Sequence, residues 1–340
     1  MKILNPKLRN FLIGVTLRAG CFLLSLAPAP VLAQAVSQAQ TDYPNRPLKI
    51  IVGFPPGQAT DVIARLLAEK LSAVFGQSVI VDNKPGQGGS IGAAAAAKSP
   101  ADGYTLLLSA TAPLATNPNL YKDLPYEPIR DFAPITLIAN LPFVLVARPD
   151  FPANNVRELI TMAKAQRGKF TFASSGNGST SHLSMEMLKT ATGTDIRHVP
   201  YKGSVQAFTD VISGQVDLVF DTAVYALPMV RSGRVKLLAV AGAKRSTLIP
   251  DTPTVAEQGV PGYDTGAWLG MLFPIGTPRA IVARMNTELI KIVRTPEVTE
   301  RLFKLGAEPL SSTPEEFSTH IKSELRKWGK AVVDAGVKVE

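Results

Sequence analysis

Four short stretches gather glycines, hydroxyls, amides or a carboxylate where an apolar strand-like run gives way to a helix-like one. The first is Phe54-Pro55-Pro56-Gly57-Gln58-Ala59-Thr60-Asp61. Free N–H groups and the helix dipole at such a junction favour an anion, although a proline- and glycine-rich turn before a capped helix uses the same residues. The second is Ala173-Ser174-Ser175-Gly176-Asn177-Gly178-Ser179-Thr180-Ser181. Its glycines let backbone approach a ligand, and its hydroxyls and amide supply donors that could hold a carboxylate without a fixed positive charge. The alternative is a polar loop with a hydroxyl helix cap. The third, Pro200-Tyr201-Lys202-Gly203, offers a cation and an aromatic wall, but a single lysine is more often a solvated surface group. The fourth, Asp221-Thr222-Ala223, could receive a ligand ammonium or a bridging water, or cap a helix.

Enzyme signals are weaker. Gly88-Gly89-Ser90-Ile91-Gly92 matches the Gly-x-Ser-x-Gly nucleophile elbow, so a serine hydrolase using Ser90 is one alternative reading. Its base would have to be His182, His198 or His320, and none has a local context that singles it out. Gly86-x-Gly88 begins a dinucleotide fingerprint, but Ile91 stands where the third glycine belongs. Three scattered histidines and one cysteine, Cys21, suggest neither a metal centre nor a disulfide scaffold. No cofactor and no metal are expected.

These stretches need elements to position them. Leu48–Val52 reads as a strand, and the three- and four-residue recurrence of Ala59, Ile63, Leu66, Leu67, Leu71 and Val74 predicts a helix, with Thr60 or Asp61 capping its start and Gly76 its end. Strands at 78–81 and 104–109 with a helix at 91–98 continue the alternation, which argues for βαβ units and a parallel sheet. After Pro152 the pattern resumes, with helices at 156–166, 181–192, 205–212 and 224–232 and strands at 169–173, 196–199, 216–220 and 235–240. From Pro278 the chain reads as helical throughout, at 280–293, 296–305 and 313–335. Two α/β units, one resumed at the end, predict two lobes joined by two extended apolar crossings at 136–148 and 265–273. The expected division is 43–140 with 268–340 for lobe 1 and 141–267 for lobe 2.

Composition narrows the function classes. The 340 residues are 46% hydrophobic and 19% charged, which excludes wholesale disorder. Lys2, Lys7, Arg9 and Arg18, with no acid among them, precede the apolar run Cys21–Leu26 and small residues up to Ala33, the pattern of an export signal cleaved near Ala33. The apolar run is shorter than the ~18 residues of a membrane span. A lipoprotein anchor at Cys21 is disfavoured, because Arg18 stands where an apolar residue is wanted. Losing those four basic residues lowers the formal charge from +9 by four. No basic run with interleaved aromatics would track nucleic acid, and the residual charge mildly favours anionic ligands.

The chain resembles the periplasmic substrate-binding receptors of tripartite tricarboxylate transporters, the Bug family. The matching segments run in order through Tyr43-Pro44, Arg46-Pro47, 53–61, Asn83-Lys84-Pro85-Gly86, Gly88-Gly89, 102–106, Leu124-Pro125-Tyr126, Asp131-Phe132, 173–179, 198–203, 214–217, 253–257 and 306–309. The resemblance implies a two-lobed α/β periplasmic binding protein of type II-like fold, with a mixed or parallel sheet in each lobe and hinge closure on a ligand. It implies binding rather than catalysis. The ligand would be a small carboxylate: a di- or tricarboxylate, an acidic amino acid or an aromatic acid. Carried over by position, it marks Phe54, Gly57, Gln58, Ala59, Thr60 and Asp61; Ser109, Ala110 and Thr111; Ser175, Gly176, Asn177, Gly178, Ser179 and Thr180; Tyr201, Lys202 and Gly203; and Asp221 with Ala223. The family loop after Pro-Pro-Gly usually has small glycines where this chain has Gln58 and Ala59, so the Gln58 amide is expected to reach into the pocket. The implied receptor is an exported monomer whose partners are transporter components in the membrane. A sensor reporting to a membrane kinase, or a receptor without its own transporter, fits the same sequence.

Overall fold

A computed structural model describes residues 43–337. The export signal, Cys21 and the cleavage near Ala33 lie outside the described residues. The unit that begins at Pro44 holds every element below.

The first sheet starts at β1 (Leu48–Val52), whose apolar run is buried because β2 (Val79–Asn83) and β3 (Thr105–Ala110) flank it in parallel. Helix α1 (Ala59–Phe75) crosses between β1 and β2 and buries Ile63, Leu66, Leu67 and Leu71; Gly76 ends it with φ 64°. Helix α2 (Ser90–Ala97) leads from β2 to β3. A π-helical turn (Ala112–Thr116) and the short α3 (Asn117–Leu120) follow β3. The long β4 (Phe132–Leu141) joins the same sheet through β10 (Ala267–Pro274), which runs antiparallel to both β3 and β4.

The second sheet contains β5 (Phe143–Ala147), β6 (Thr171–Ser174), β7 (Arg197–Pro200), β8 (Leu218–Thr222) and β9 (Lys236–Val240), in the order β7-β6-β8-β5-β9. Strands β6, β7 and β8 are parallel, while β5 runs antiparallel between β8 and β9. Its helices are α4 (Val156–Ala165), α5 (Thr180–Thr192), α6 (Ser204–Ile212) and α7 (Ala223–Arg231). Apolar clusters cover both faces of this sheet, one around Phe172, Phe220 and Leu145, the other around Phe208, Val219 and Val146. Such two-sided burial explains why the central strands β5 and β8 read as apolar runs rather than alternations.

The chain then closes with α8 (Arg279–Val293), α9 (Pro296–Lys304) and α10 (Pro314–Asp334), which lie on the first sheet's side of the molecule. A capping box between Thr313 and Glu316 starts α10. The segment after Pro278 is not wholly helical, because β11 (Glu308–Pro309) adds an antiparallel edge to β4. The first sheet has the order β11-β4-β10-β3-β1-β2. Chain passes from the first sheet to the second across Pro142, between β4 and β5, and returns between β9 and β10. The result is a two-lobed α/β fold of two mixed sheets flanked by helices.

Among the described residues no helix is long and apolar enough to cross a membrane. The start of α1 departs from expectation. Neither Thr60 nor Asp61 caps it; the cap position is Gln58, which contributes no side-chain hydrogen bond.

Candidate functional site

A cavity of about 450 Å³ opens where the carboxyl ends of β6 and β8 face the first sheet's loops. One wall is Phe54, Gly88, Ala112, Asn117, Leu120 and Tyr121, and the other is the run 175–181 with Ser204, Asp221 and Thr222; Phe143 completes it. Open α/β sheets bind ligands at this position. A larger concavity, about 610 Å³ between α7 and α9, has a mainly apolar lining that includes Val224, Leu227 and Phe303. Its polar residues, Arg231, Thr299, Glu300 and Lys304, sit on α7 and α9 rather than on the strand-to-helix loops where open α/β sheets bind ligands.

The loop between β6 and α5 is tied around one carbonyl. Gly176 O accepts from the Ser174 hydroxyl (3.1 Å), the Ser179 hydroxyl (2.7 Å) and the Ser179 N–H (3.2 Å). Gly176 has φ 131° and Gly178 φ 73°, conformations that glycine adopts at little cost. Ser179 caps α5 by accepting from the His182 N–H (3.2 Å), so its hydroxyl is already committed. Ser175, Asn177 and Thr180 instead have side chains uncommitted to any described residue, and all three line the cavity. Of the first-turn N–H groups of α5, that of His182 is taken by the Ser179 cap, while those of Thr180 and Ser181 have no intrahelical partner, and the helix dipole adds positive potential there. Below the loop, Gly178 N–H donates to His182 Nδ1 (3.1 Å), and His198 Nε2 lies 2.6 Å from Ser174 Oγ.

The first-lobe loop behaves differently from expectation. Of Phe54, Gly57, Gln58, Ala59, Thr60 and Asp61, only Phe54 lines the cavity. The reason is Asp61, which is 2% exposed. It accepts from Gly57 N–H (2.8 Å), Arg65 Nε (3.0 Å) and Asn83 Nδ2 (2.9 Å). Burial raises its pKa, but the bonds from Arg65, Gly57 and Asn83 outweigh burial and hold it below the usual value. The chain's own carboxylate therefore fills the anion position at the start of α1. Gln58, expected in the pocket, stays exposed and does not line it.

Other expected residues are also placed elsewhere. Ser109 and Ala110 end β3 against Gly270 and Leu269 of β10. Thr111 Oγ1 accepts from the Trp268 N–H (2.9 Å), which anchors the returning chain. Tyr201 donates to Asp210 (2.6 Å), and burial with that carboxylate raises its pKa to about 12. Lys202 is exposed, and neither it nor Gly203 lines the cavity. Ala223 N–H donates to the Pro142 carbonyl (2.7 Å), so it secures the crossing. Asp221 does reach the cavity.

Ser90 is fully buried, with its Oγ 2.8 Å from Asn117 Nδ2 and 3.2 Å from the Tyr126 hydroxyl. No histidine is among its hydrogen-bond partners. It positions Asn117, one of the lining residues that the sequence did not reveal. Gly88, Ala112, Leu120, Tyr121, Phe143 and Ser204 belong with Asn117 in that group, whereas Ser181 and Thr222 lie within the second and fourth stretches singled out from the sequence. Among the described residues, no lysine, arginine or histidine lines the cavity. Such a site holds an anion by dipoles and hydrogen bonds rather than by a counter-charge.

Residues 63–337 match the pattern described as "Tripartite tricarboxylate transporter family receptor". Protein BugT of Bordetella pertussis (strain Tohama I) is 38% identical, over 88% of this chain and 92% of its own. Among solved structures, R. palustris Rpa4515 with adipate superposes with a TM-score of 0.78 at 38% identity, covering 87% of this chain and 99% of the other. MatC (Rpa3494) from Rhodopseudomonas palustris with bound malate superposes with a TM-score of 0.73 at 32% identity, covering 85% and 100%.

Proposed function

This chain belongs to the tripartite tricarboxylate transporter receptor family, the Bug proteins, and on that footing we propose that it captures a small carboxylate between its lobes and delivers it to transporter components in the membrane. Family membership makes it a solute-binding receptor. The observation that carries the ligand class is the convergence of Ser175, Asn177, Thr180 and the α5 N-terminus on a cavity of about 450 Å³ with no basic lining residue among those described. Similar receptors hold adipate and malate, which supports a small carboxylate here; a di- or tricarboxylate, an acidic amino acid and an aromatic acid are the classes to test. Phe54, Leu120, Tyr121 and Phe143 supply an apolar wall for the ligand body.

Capture would proceed by hinge motion about Pro142 and the segment before β10, with lobe 1 taken as 43–140 and 268–340 and lobe 2 as 141–267. Export through the first 33 residues would place the receptor in the periplasm. Waters bridging the ligand to Phe54 and Ala112–Tyr121 would let one scaffold take several acids. A thermal-shift titration of refolded protein against di- and tricarboxylates, acidic amino acids and aromatic acids tests this reading. Stabilisation by one class supports it, and a flat panel refutes it.

A further inference from the structure

A receptor for anions places donors where the ligand's charge will lie, yet β8 delivers a carboxyl to the same cavity. Asp221 is 5% exposed and lines the cavity beside Ser204 and Thr222. Its Oδ1 accepts from the Thr222 N–H (2.7 Å) and hydroxyl (3.3 Å). Its Oδ2 is buried and has no hydrogen-bond partner among the described residues. Burial drives the pKa of this group up. The neighbouring Ser204 hydroxyl and Thr222 offset part of that effect, without a formed hydrogen bond from Ser204 to Oδ2.

The surrounding elements bring no counter-charge. The facing segments of β5 and β6, Phe143–Val146 and Phe172–Ser174, are uncharged. On α5, Ser181 spends its hydroxyl on the Phe220 carbonyl (2.5 Å), His182 accepts from Gly178, and Glu186 pairs with Lys189 (2.7 Å). On α6, Asp210 accepts from Tyr201. On α7, Tyr225 packs on Phe208 and Arg231 lies in the last turn. From the opposite wall comes the phenol of Tyr121. An ionised carboxylate left unpaired in such a place is costly; a proton removes the charge and converts the bare oxygen into a donor.

We propose that Asp221 works as a neutral hydrogen-bond donor in the ligand site, its Oδ2–H directed to an oxygen of the ligand carboxylate. The proton stays within that hydrogen bond, and no covalent bond is made or broken. This proposal rests on the reading of the cavity as a carboxylate site and names the group that selects for the carboxylate. An anion is accepted while Asp221 keeps its proton, whereas a ligand ammonium would require the opposite state.

The test titrates adipate, malate and glutamate into wild type, Asp221→Asn and Asp221→Ala by calorimetry. The asparagine amide keeps a donor and carries no charge. Asp221→Asn is expected to hold its carboxylate within about threefold of wild type, and Asp221→Ala to lose roughly ten- to a hundredfold. Between about pH 6.5 and 9, where the ligand carboxylates no longer titrate, wild-type affinity stays level or falls with rising pH, and Asp221→Asn stays level. Should Asp221→Asn fail to fold, Asp221→Ser supplies a hydroxyl donor for the same comparison. Two results overturn the proposal: folded Asn or Ser variants that bind as weakly as Asp221→Ala, or wild-type affinity that climbs with pH. Either marks Asp221 as a charged acceptor for a ligand cation. Should wild type bind none of the three, citrate and benzoate replace them in the same comparison; wild type that binds none of the five acids at any pH refutes the carboxylate reading itself, and the proposal with it.

Discussion

His182 and His198 stack face to face beneath the ligand loop, their ring centroids 3.8 Å apart and their planes 9° from parallel. Phe172 continues the stack against His198 at 4.7 Å. Through the Gly178 N–H donated to His182 and the hydrogen bond between His198 Nε2 and Ser174 Oγ, the pair underpins the loop that carries the free donors. Two imidazoles this close cannot both be charged at low cost.

Acid should therefore loosen this lobe. Burial pushes His182 down to about 3, aided by His198 and Lys189, and burial with Lys189 pushes His198 down to about 4. Both values lie below the 6.5 of an unperturbed histidine, so the unfolded chain takes up protons first as pH falls. The stabilising contribution is complete above about pH 6.5 and is lost as pH drops through about 4 and then about 3. Urea denaturation across that range should show a falling midpoint for wild type and a shallower fall for His182→Gln. Equal slopes for the two proteins would remove the histidine pair from the acid response.

Asn177 is exposed and free of hydrogen bonds to described residues, which separates binding from stability. Asn177→Ala should change the unfolding free energy by less than about 0.5 kcal/mol and weaken carboxylate binding about tenfold. Thr180→Ala should behave similarly. Calorimetry with unchanged affinity would take Asn177 out of the site.

Asp61 serves the loop rather than the ligand. Asp61→Ala strands the Gly57 N–H and the Asn83 amide together, and should cost about 2–3 kcal/mol in chemical denaturation. Any loss of affinity should follow from displacement of Phe54, whose carbonyl also accepts from Asn83 (3.0 Å). A variant as stable as wild type would show that the loop does not depend on this carboxylate.

Gly53 and Gly92 allow β1 and α2 to meet backbone to backbone. A Cβ on Gly92 would lie 2.6 Å from Gly53 Cα, and one on Gly53 would lie 2.5 Å from Gly89 O. Neither contact can be relieved by turning a side chain. Gly92→Ala should destabilise by about 1–3 kcal/mol, as read from thermal or urea unfolding. A neutral substitution would mean that the two elements separate easily.

What could be read from sequence depended on how local the cause was. The run 174–181 was legible because glycines, hydroxyls and a strand-to-helix switch lie within one stretch. The opposite wall was not, because Asn117, Leu120 and Tyr121 arrive through a π-helical turn whose placement depends on contacts such as Asn117 with Ser90 and Gln87. Thr111 was expected at the ligand from its position in the family resemblance, but its hydroxyl is claimed by Trp268, a contact 157 residues away in sequence. Asp61 misled for a related reason: an acidic residue in a helix's first turn can face a ligand or serve its own loop, and only the positions of Gly57 and Asn83 decide. The two-lobed fold was visible because strand–helix alternation and apolar runs are written in short windows. The edge strand Glu308–Pro309 was too short to announce itself.

The most direct test is calorimetric titration of the refolded protein with adipate, malate, citrate, glutamate and benzoate, with Asn177→Ala alongside. Saturable binding of at least one acid is expected, together with stabilisation of about 2.7 kcal/mol at a hundred times its Kd and weaker binding by the variant. Absence of both heat and thermal stabilisation with every acid, from a protein that unfolds cooperatively, would contradict a carboxylate receptor.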